Sequence, residues 1–152
     1  GEIKRGRVLG IDIDIREHNR IKIEKHPLFK KIKMIQGSSI DDGIINKVYS
    51  FAKNFHTILV VLDSNHTHSH VLAELNAYAP LVSKESYCVV MDTIIEDLPA
   101  RMFPNRPWGK GNNPKTAISE YLKTHKKFKV DRNIENKLLI TVASHGYLKR
   151  VR

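Results

Sequence analysis

The chain has 152 residues, 41% hydrophobic and 28% charged, a size and balance suited to one globular domain over residues 1–152 with a buried core. Its 26 lysines and arginines against 16 aspartates and glutamates leave a formal charge of +10. Lys22, Lys25, Lys30, Lys31 and Lys33, then Lys123, Lys126, Lys127 and Lys129, are scattered and lack interleaved aromatics, which argues for solvated faces and against nucleic acid.

The lone cysteine, Cys88, excludes an intrachain disulfide and lies in an apolar run, so it reads as a buried reduced thiol and favours a cytoplasmic setting. No apolar stretch approaches the length of a bilayer span, and Gly1 to Arg5 carries no secretory apolar segment. The missing initiator Met points to a chain cut from something longer.

In chain order, Arg7 to Ile15 opens as a strand and then alternates Ile with Asp, predicting Asp12 and Asp14 on one side and the isoleucines on the other. An acid at a strand's end can accept two neighbouring ribose hydroxyls in a nucleoside-binding α/β fold; it can equally be a solvated strand end. Glu17 to Glu24 is charged and ambiguous, and His26-Pro27 breaks it. Lys31 to Gln36 alternates as a half-buried strand, and Gly37-Ser38-Ser39 then lets backbone approach a ligand or simply turns into a helix. Ile40, Ile44, Ile45, Val48, Phe51, Ala52 and Phe55 predict that helix, with Asp41 and Asp42 in its first turn.

Ile58 to Leu62 is an unbroken aliphatic run, predicting a strand buried on both faces, and Asp63 stands at its carboxyl end, where open α/β sheets bind ligands. Asn65 and His66 follow, then a helix with Val71, Leu72, Leu75 and Ala79 on its apolar face and Pro80 at its end. His66 and His70 stand four apart, the spacing of paired zinc ligands on a helix, but the glutamate of a metalloprotease helix is Thr67 here, which disfavours zinc. The positive end of a helix favours neutral imidazole, the form that accepts a proton.

Ser86 to Met91 predicts another buried strand ending at Asp92, so Asp63 and Asp92 share an edge and suit a hard cation such as magnesium with several waters. Thr93 to Asn113 has no regular period and surrounds the only tryptophan, Trp108, as a lid, a binding loop or a self-packed Ω-loop would. Asn113-Pro114 caps a helix burying Ala117, Ile118, Tyr121 and Leu122. Phe128 to Val130 and Lys137 to Val142 read as short strands, and Gly146 to Arg150 as a hairpin return.

The order strand-acid, strand-Gly-Ser, strand-Asp, strand-Asp resembles the class I S-adenosylmethionine-dependent methyltransferase fold from its second strand onward. LDSNHTHSHVLAELNAYAPLV, MDTIIEDLP, RPWGKGNNPKTAISEYL, KLLIT and GYLKR resemble the cephalosporin hydroxylase family, whose members are similar to O-methyltransferases. The resemblance covers nearly the whole chain and implies a Rossmann-like α/β three-layer sandwich with a mostly parallel sheet, lacking the first strand and its glycine-rich loop. It also implies an S-adenosylmethionine cofactor and a hydroxyl acceptor on a sugar, a lipid-linked glycan or a small metabolite; a homo-oligomer is compatible with it. By position, Asp12 matches the acid that binds the cofactor's ribose, and Gly37-Ser38 the pair beside adenine, where an acid is common at Ser38. Asp63 matches a magnesium ligand near the transferred methyl and Asp92 a second, whereas Met91 replaces a third carboxylate with a thioether, a poor ligand for magnesium. His66 stands near a lysine base of a related catechol methyltransferase.

Methyl transfer requires the acceptor oxygen to be held in line and its proton removed, by His66 as base or by a cation at Asp63 and Asp92; Met91 favours the base. Two rival expectations belong to other classes: a non-catalytic nucleotide-binding or assembly module with the same fold, and a hydrolase using Asp63 and the histidines. The methyltransferase expectation needs Asp12, Asp63 and Asp92 along one rim of a single sheet.

Overall fold

A computed structural model describes residues 6–152. Gly1 to Arg5, where no secretory segment is expected, lies outside the described residues. The chain divides into two compact units, Gly1–Ser50 and Phe51–Arg152.

In the first unit, β1 (Val8–Asp12) pairs in parallel with β2 (Ile32–Gln36), connected by α1 (Glu17–Glu24), so the ambiguous charged stretch is a helix. The expected alternation beyond Asp12 does not occur. Asp12 Oδ1 accepts from the Asp14 backbone N–H at 2.9 Å, a local turn that ends the strand and leaves Ile13 exposed. A helix, α2 (Asp42–Ala52), follows, its start capped by Asp41 Oδ1 on the Ile44 N–H at 3.1 Å.

The second unit is built on a four-stranded sheet in the order β3 (Val60–Leu62), β4 (Tyr87–Val90), β6 (Tyr147–Arg150), β5 (Phe128–Val130). β3 and β4 are parallel, joined through α3 (His68–Tyr78), while β6 runs antiparallel to both β4 and β5. The class is α/β as expected, with mixed pairing in place of a mostly parallel sheet because β6 returns between two strands of the other direction. The strands also form two sheets, so Asp12 and the pair Asp63 and Asp92 do not share one. Among the described residues, β1 and β3 each pair along one edge only.

Three further expectations change. β3 is not buried on both faces: Leu59 and Val61 are 56% and 55% exposed while Leu62 is buried, since helix packing covers one face only. Lys137 to Val142 is not a strand. Its start closes α5 (Arg132–Leu138), whose first turn is capped by Asp131, and Leu139 and Ile140 then stand 86% and 91% exposed. The strand predicted as a hairpin return is β6, reached from β5 through α5 instead of a tight turn.

The helix predicted after Asn113 is α4 (Pro114–Thr124), with a full capping box in which Asn113 Oδ1 accepts from Thr116 N–H and Thr116 Oγ1 accepts from Asn113 N–H. α4 packs on α3, and Leu75, Val82, Cys88, Val90, Ala117 and Leu148 form the interior. Cys88 is buried, as expected, and burial together with the charge of Glu74 pushes its thiol up to about 12.

The β4–β6 seam depends on a close backbone approach. Gly146 carbonyl oxygen accepts from Val90 N–H at 2.9 Å, and a Cβ on Gly146 would lie 2.1 Å from the Val90 carbonyl oxygen. Gly146→Ala must therefore separate the two strands, and we expect urea denaturation to show a loss of about 2 kcal/mol or more. An unchanged midpoint would contradict this packing.

Candidate functional site

The parallel register of β3 and β4 sets Leu62 against Val90 and continues with Met91 N–H donating to the Leu62 carbonyl at 2.9 Å. The next residue of each chain segment is an aspartate, so Asp63 and Asp92 emerge at neighbouring carboxyl ends, as expected. Asp92 adopts φ 54°, ψ 24°, a left-handed conformation that costs a non-glycine residue energy and ends β4 abruptly. Its Oδ2 lies 3.3 Å from His66 Nε2, and both side chains are largely covered.

His66 precedes α3 and does not belong to a helix face. It contacts Asp92, whereas His70, inside α3, lies 3.3 Å from Ser64 Oγ and 3.6 Å from Glu74 Oε1. The paired-ligand geometry that would hold zinc is therefore absent, and among the described residues no group of three or more histidine, cysteine or acidic side chains is arranged to hold a metal. Asn65 serves structure, its Oδ1 accepting from Thr67 N–H and Oγ1 at 2.9 and 2.8 Å.

The Trp108 loop covers this edge. Trp108 meets the His66 ring edge-on, centroids 4.9 Å apart, and Arg106 lies over the indole at 5.2 Å. Short 3-10 helices at Thr93–Asp97 and Ala100–Met102 give the loop structure that periodicity did not reveal. Glu96 accepts from Gly111 N–H at 2.8 Å and from the Asn113 amide, Lys115 pairs with Asp97 at 2.7 Å, and Asn112 Oδ1 accepts from His68 N–H at 2.9 Å. Trp108 is thus held on the histidine and is not the centre of a self-packed loop.

In the first unit, Gly37 N–H donates to the Asp12 carbonyl at 2.9 Å, so the two residues expected to hold ribose and adenine are neighbours. Gly37 has φ 148°, and a Cβ there would come within 2.8 Å of Ile44, which makes glycine necessary. A cavity of about 360 Å³ lies beside Asp12, lined also by Gly10, Arg16, Asn19, Lys22 and Met34 but not by Gly37 or Ser38.

The sequence reading missed Ser64 and Glu74. Glu74 is spaced with Val71, Leu75 and Tyr78 on the buried face of α3, a carboxylate among apolar positions, and that spacing was the available signal.

Partial burial, then the neighbouring Asp92 carboxylate, raise Asp63 above its ordinary value of 3.8, with His66 opposing. A raised carboxyl favours the native state when protonated, so its benefit is complete below the unfolded value and is lost as pH rises through the native one. Asp63→Asn should therefore raise the melting temperature relative to wild type at about pH 8 and not at about pH 3, where both states are protonated. Equal differences at the two pH values would contradict the raised carboxyl.

Comparison with known proteins adds to this geometry. Residues 2–151 match the family model described as "Rhamnosyl O-methyltransferase/CmcI". Rhamnosyl O-methyltransferases of Mycobacterium tuberculosis (strain ATCC 25618 / H37Rv) and Mycobacterium bovis (strain BCG / Pasteur 1173P2) are 33% identical over 121 residues, covering 78% of this chain and 47% of theirs. The chain thus spans about half the length of these curated relatives. Among solved structures, MycE methyltransferase from the mycinamycin biosynthetic pathway is similar in complex with Mg and SAH (TM-score 0.56, 19% identity, 97% of this chain and 38% of that one). It is also similar with Mg, SAH and mycinamycin VI (TM-score 0.54, 20% identity, 97% and 37%). These likenesses show a Rossmann-like methyltransferase fold, and, matched along almost its entire length, the chain belongs to the rhamnosyl O-methyltransferase/CmcI family.

Proposed function

We propose that this chain serves S-adenosylmethionine-dependent O-methylation of a sugar hydroxyl, with His66 as the base. The observation that carries the reading is the His66–Asp92 contact at 3.3 Å beside Asp63 and beneath Trp108. It is supported by the family match, by the name rhamnosyl O-methyltransferase on the curated relatives, and by SAH and Mg in the MycE complexes.

Asp12 fits the cofactor's ribose, and Asp63 and Asp92 fit the ion. Asp12 is an exposed acid lining the cavity beside β1 and would accept the ribose hydroxyls, whereas Gly37 and Ser38 do not line that cavity and Ile44 takes the space of a Cβ at Gly37. Asp63 and Asp92 offer two carboxylates, enough for a magnesium ion that keeps most of its waters, and Met91 contributes no hard donor. When bound, the cofactor supplies a sulfonium methyl and magnesium a Lewis acid that acidifies the acceptor hydroxyl.

His66 Nε2 lies 3.3 Å from Asp92 Oδ2, and with the proton of the neutral ring on Nε2 the lone pair is on Nδ1. Nδ1 would take the proton of the acceptor hydroxyl while Asp92 stabilised the imidazolium, and a bound S-adenosylmethionine would supply the methyl, its C–S bond breaking to leave S-adenosylhomocysteine. Trp108 fixes the ring plane and excludes water from it. A cytoplasmic setting belongs to the same reading; among the described residues no helix is long and apolar enough to cross a membrane.

Assay of methyl transfer from S-adenosylmethionine to rhamnosides tests the reading. His66→Ala should lower kcat by about 10²- to 10⁴-fold with little change in KM, and retained wild-type turnover would remove His66 as base. Calorimetry of the wild type should show heat with S-adenosylmethionine or S-adenosylhomocysteine. Silence with both would favour a non-catalytic assembly module.

A further inference from the structure

We propose that the buried Glu74 and the exposed Ser64 form a latch that positions Asp63 and His66, a role that rests on the methyltransferase reading of the site. Glu74 is 2% exposed, on the face of α3 that also buries Val71, Leu75 and Tyr78. Burying a carboxylate in that position is unfavourable unless its oxygens are hydrogen-bonded. Among the described residues Glu74 Oε2 has no hydrogen-bond partner, which leaves Oε1 as the oxygen that holds a bond.

Ser64 Oγ–H donates to Glu74 Oε1 at 2.6 Å, in the range of a charge-assisted bond, and His70 Nε2 lies 3.6 Å from the same oxygen and 3.3 Å from Ser64 Oγ. Ser64 directly follows Asp63 and stands two residues before His66. The segment between β3 and α3 therefore carries both candidate catalytic groups on either side of one exposed residue whose hydroxyl is bonded to a buried carboxylate. The Asn65 bonds to Thr67 are internal to the segment, so they shape the turn without fixing it to the core. Ser64–Glu74 does fix it, from beneath. The His66–Asp92 contact then needs only to be completed from β4, with the loop backbone already placed.

Glu74 touches neither the acceptor nor the cofactor in this account and is a positioning residue. Ser64→Ala removes the donor without opening a large cavity, and Ser64→Thr restores the hydroxyl. We expect Ser64→Ala to lower kcat by about tenfold or more with acceptor KM nearly unchanged, as displacement of reacting groups does, and Ser64→Thr to recover most of the loss. Combined with Glu74→Gln, the double variant should be no slower than the slower single one, because both break the same bond. A readout free of catalysis accompanies these: amide hydrogen exchange at Thr67 and His68, whose N–H groups are bonded to Asn65 and Asn112, should accelerate in Ser64→Ala, and not in Glu85→Gln, a distant surface change.

Unchanged exchange at those amides in a folded Ser64→Ala would overturn the latch, as would additive kcat losses in the double variant. Should the wild type transfer no methyl to any rhamnoside, the functional reading falls, while the exchange measurement still decides whether Glu74 holds the segment.

Discussion

Parallel pairing of β3 with β4 is the constraint from which the rest follows. Leu62 and Val90 face each other in the ladder, Met91 extends it by one hydrogen bond, and the two chain segments then leave the sheet side by side, each with an aspartate. Two carboxylates at that separation repel, which contributes to the raised Asp63, and something of positive character must face them. His66 fills part of that need for Asp92. The left-handed backbone at Asp92 is the local strain that aims its carboxylate, and the β4–β6 seam, closed by Gly146, holds the strand end against it.

Around this edge the structure spends polar groups in an orderly way. The Trp108 loop is long and aperiodic, but Glu96, Asp97, Asn112 and Asn113 bond it to its own ends and to the starts of α3 and α4. Asn113 is fully buried while it caps α4 and also donates to the Gly109 carbonyl at 2.8 Å, so one side chain both begins a helix and shapes the loop. The indole is carried to His66 by that framework. Glu74 acts on the other side of the same histidine segment, from within the helix layer.

The chemistry follows from this division of labour. A displacement at a methyl carbon needs little from a protein beyond alignment, removal of one proton and exclusion of water. In the proposed reading, an imidazole beside a carboxylate, covered by an aromatic ring and tied to a buried glutamate through Ser64, would supply the second of these and help with the third. The first unit contributes the acid and the glycine expected for a nucleoside, each defined by local backbone: a turn that closes on Asp12 and a glycine whose missing side chain Ile44 would otherwise strike.

Local chemistry was legible in the amino-acid order. Period and capping located α2, α3, α4, β2, β4 and β5, and aliphatic runs ending in acids picked out Asp63 and Asp92, because such signals depend only on neighbouring residues. What faces what was not legible. Lys137 to Val142 looks like a strand by composition, yet it closes a helix and turns outward, and β3 looks buried on both faces, yet packing covers one. His66 and His70 share a helical spacing, but the helix begins between them and sends each to a different partner. Sheet membership, the Trp108–His66 contact and the Ser64–Glu74 bond were decided by tertiary structure alone, since each joins residues brought together by a packing that separation along the chain does not encode.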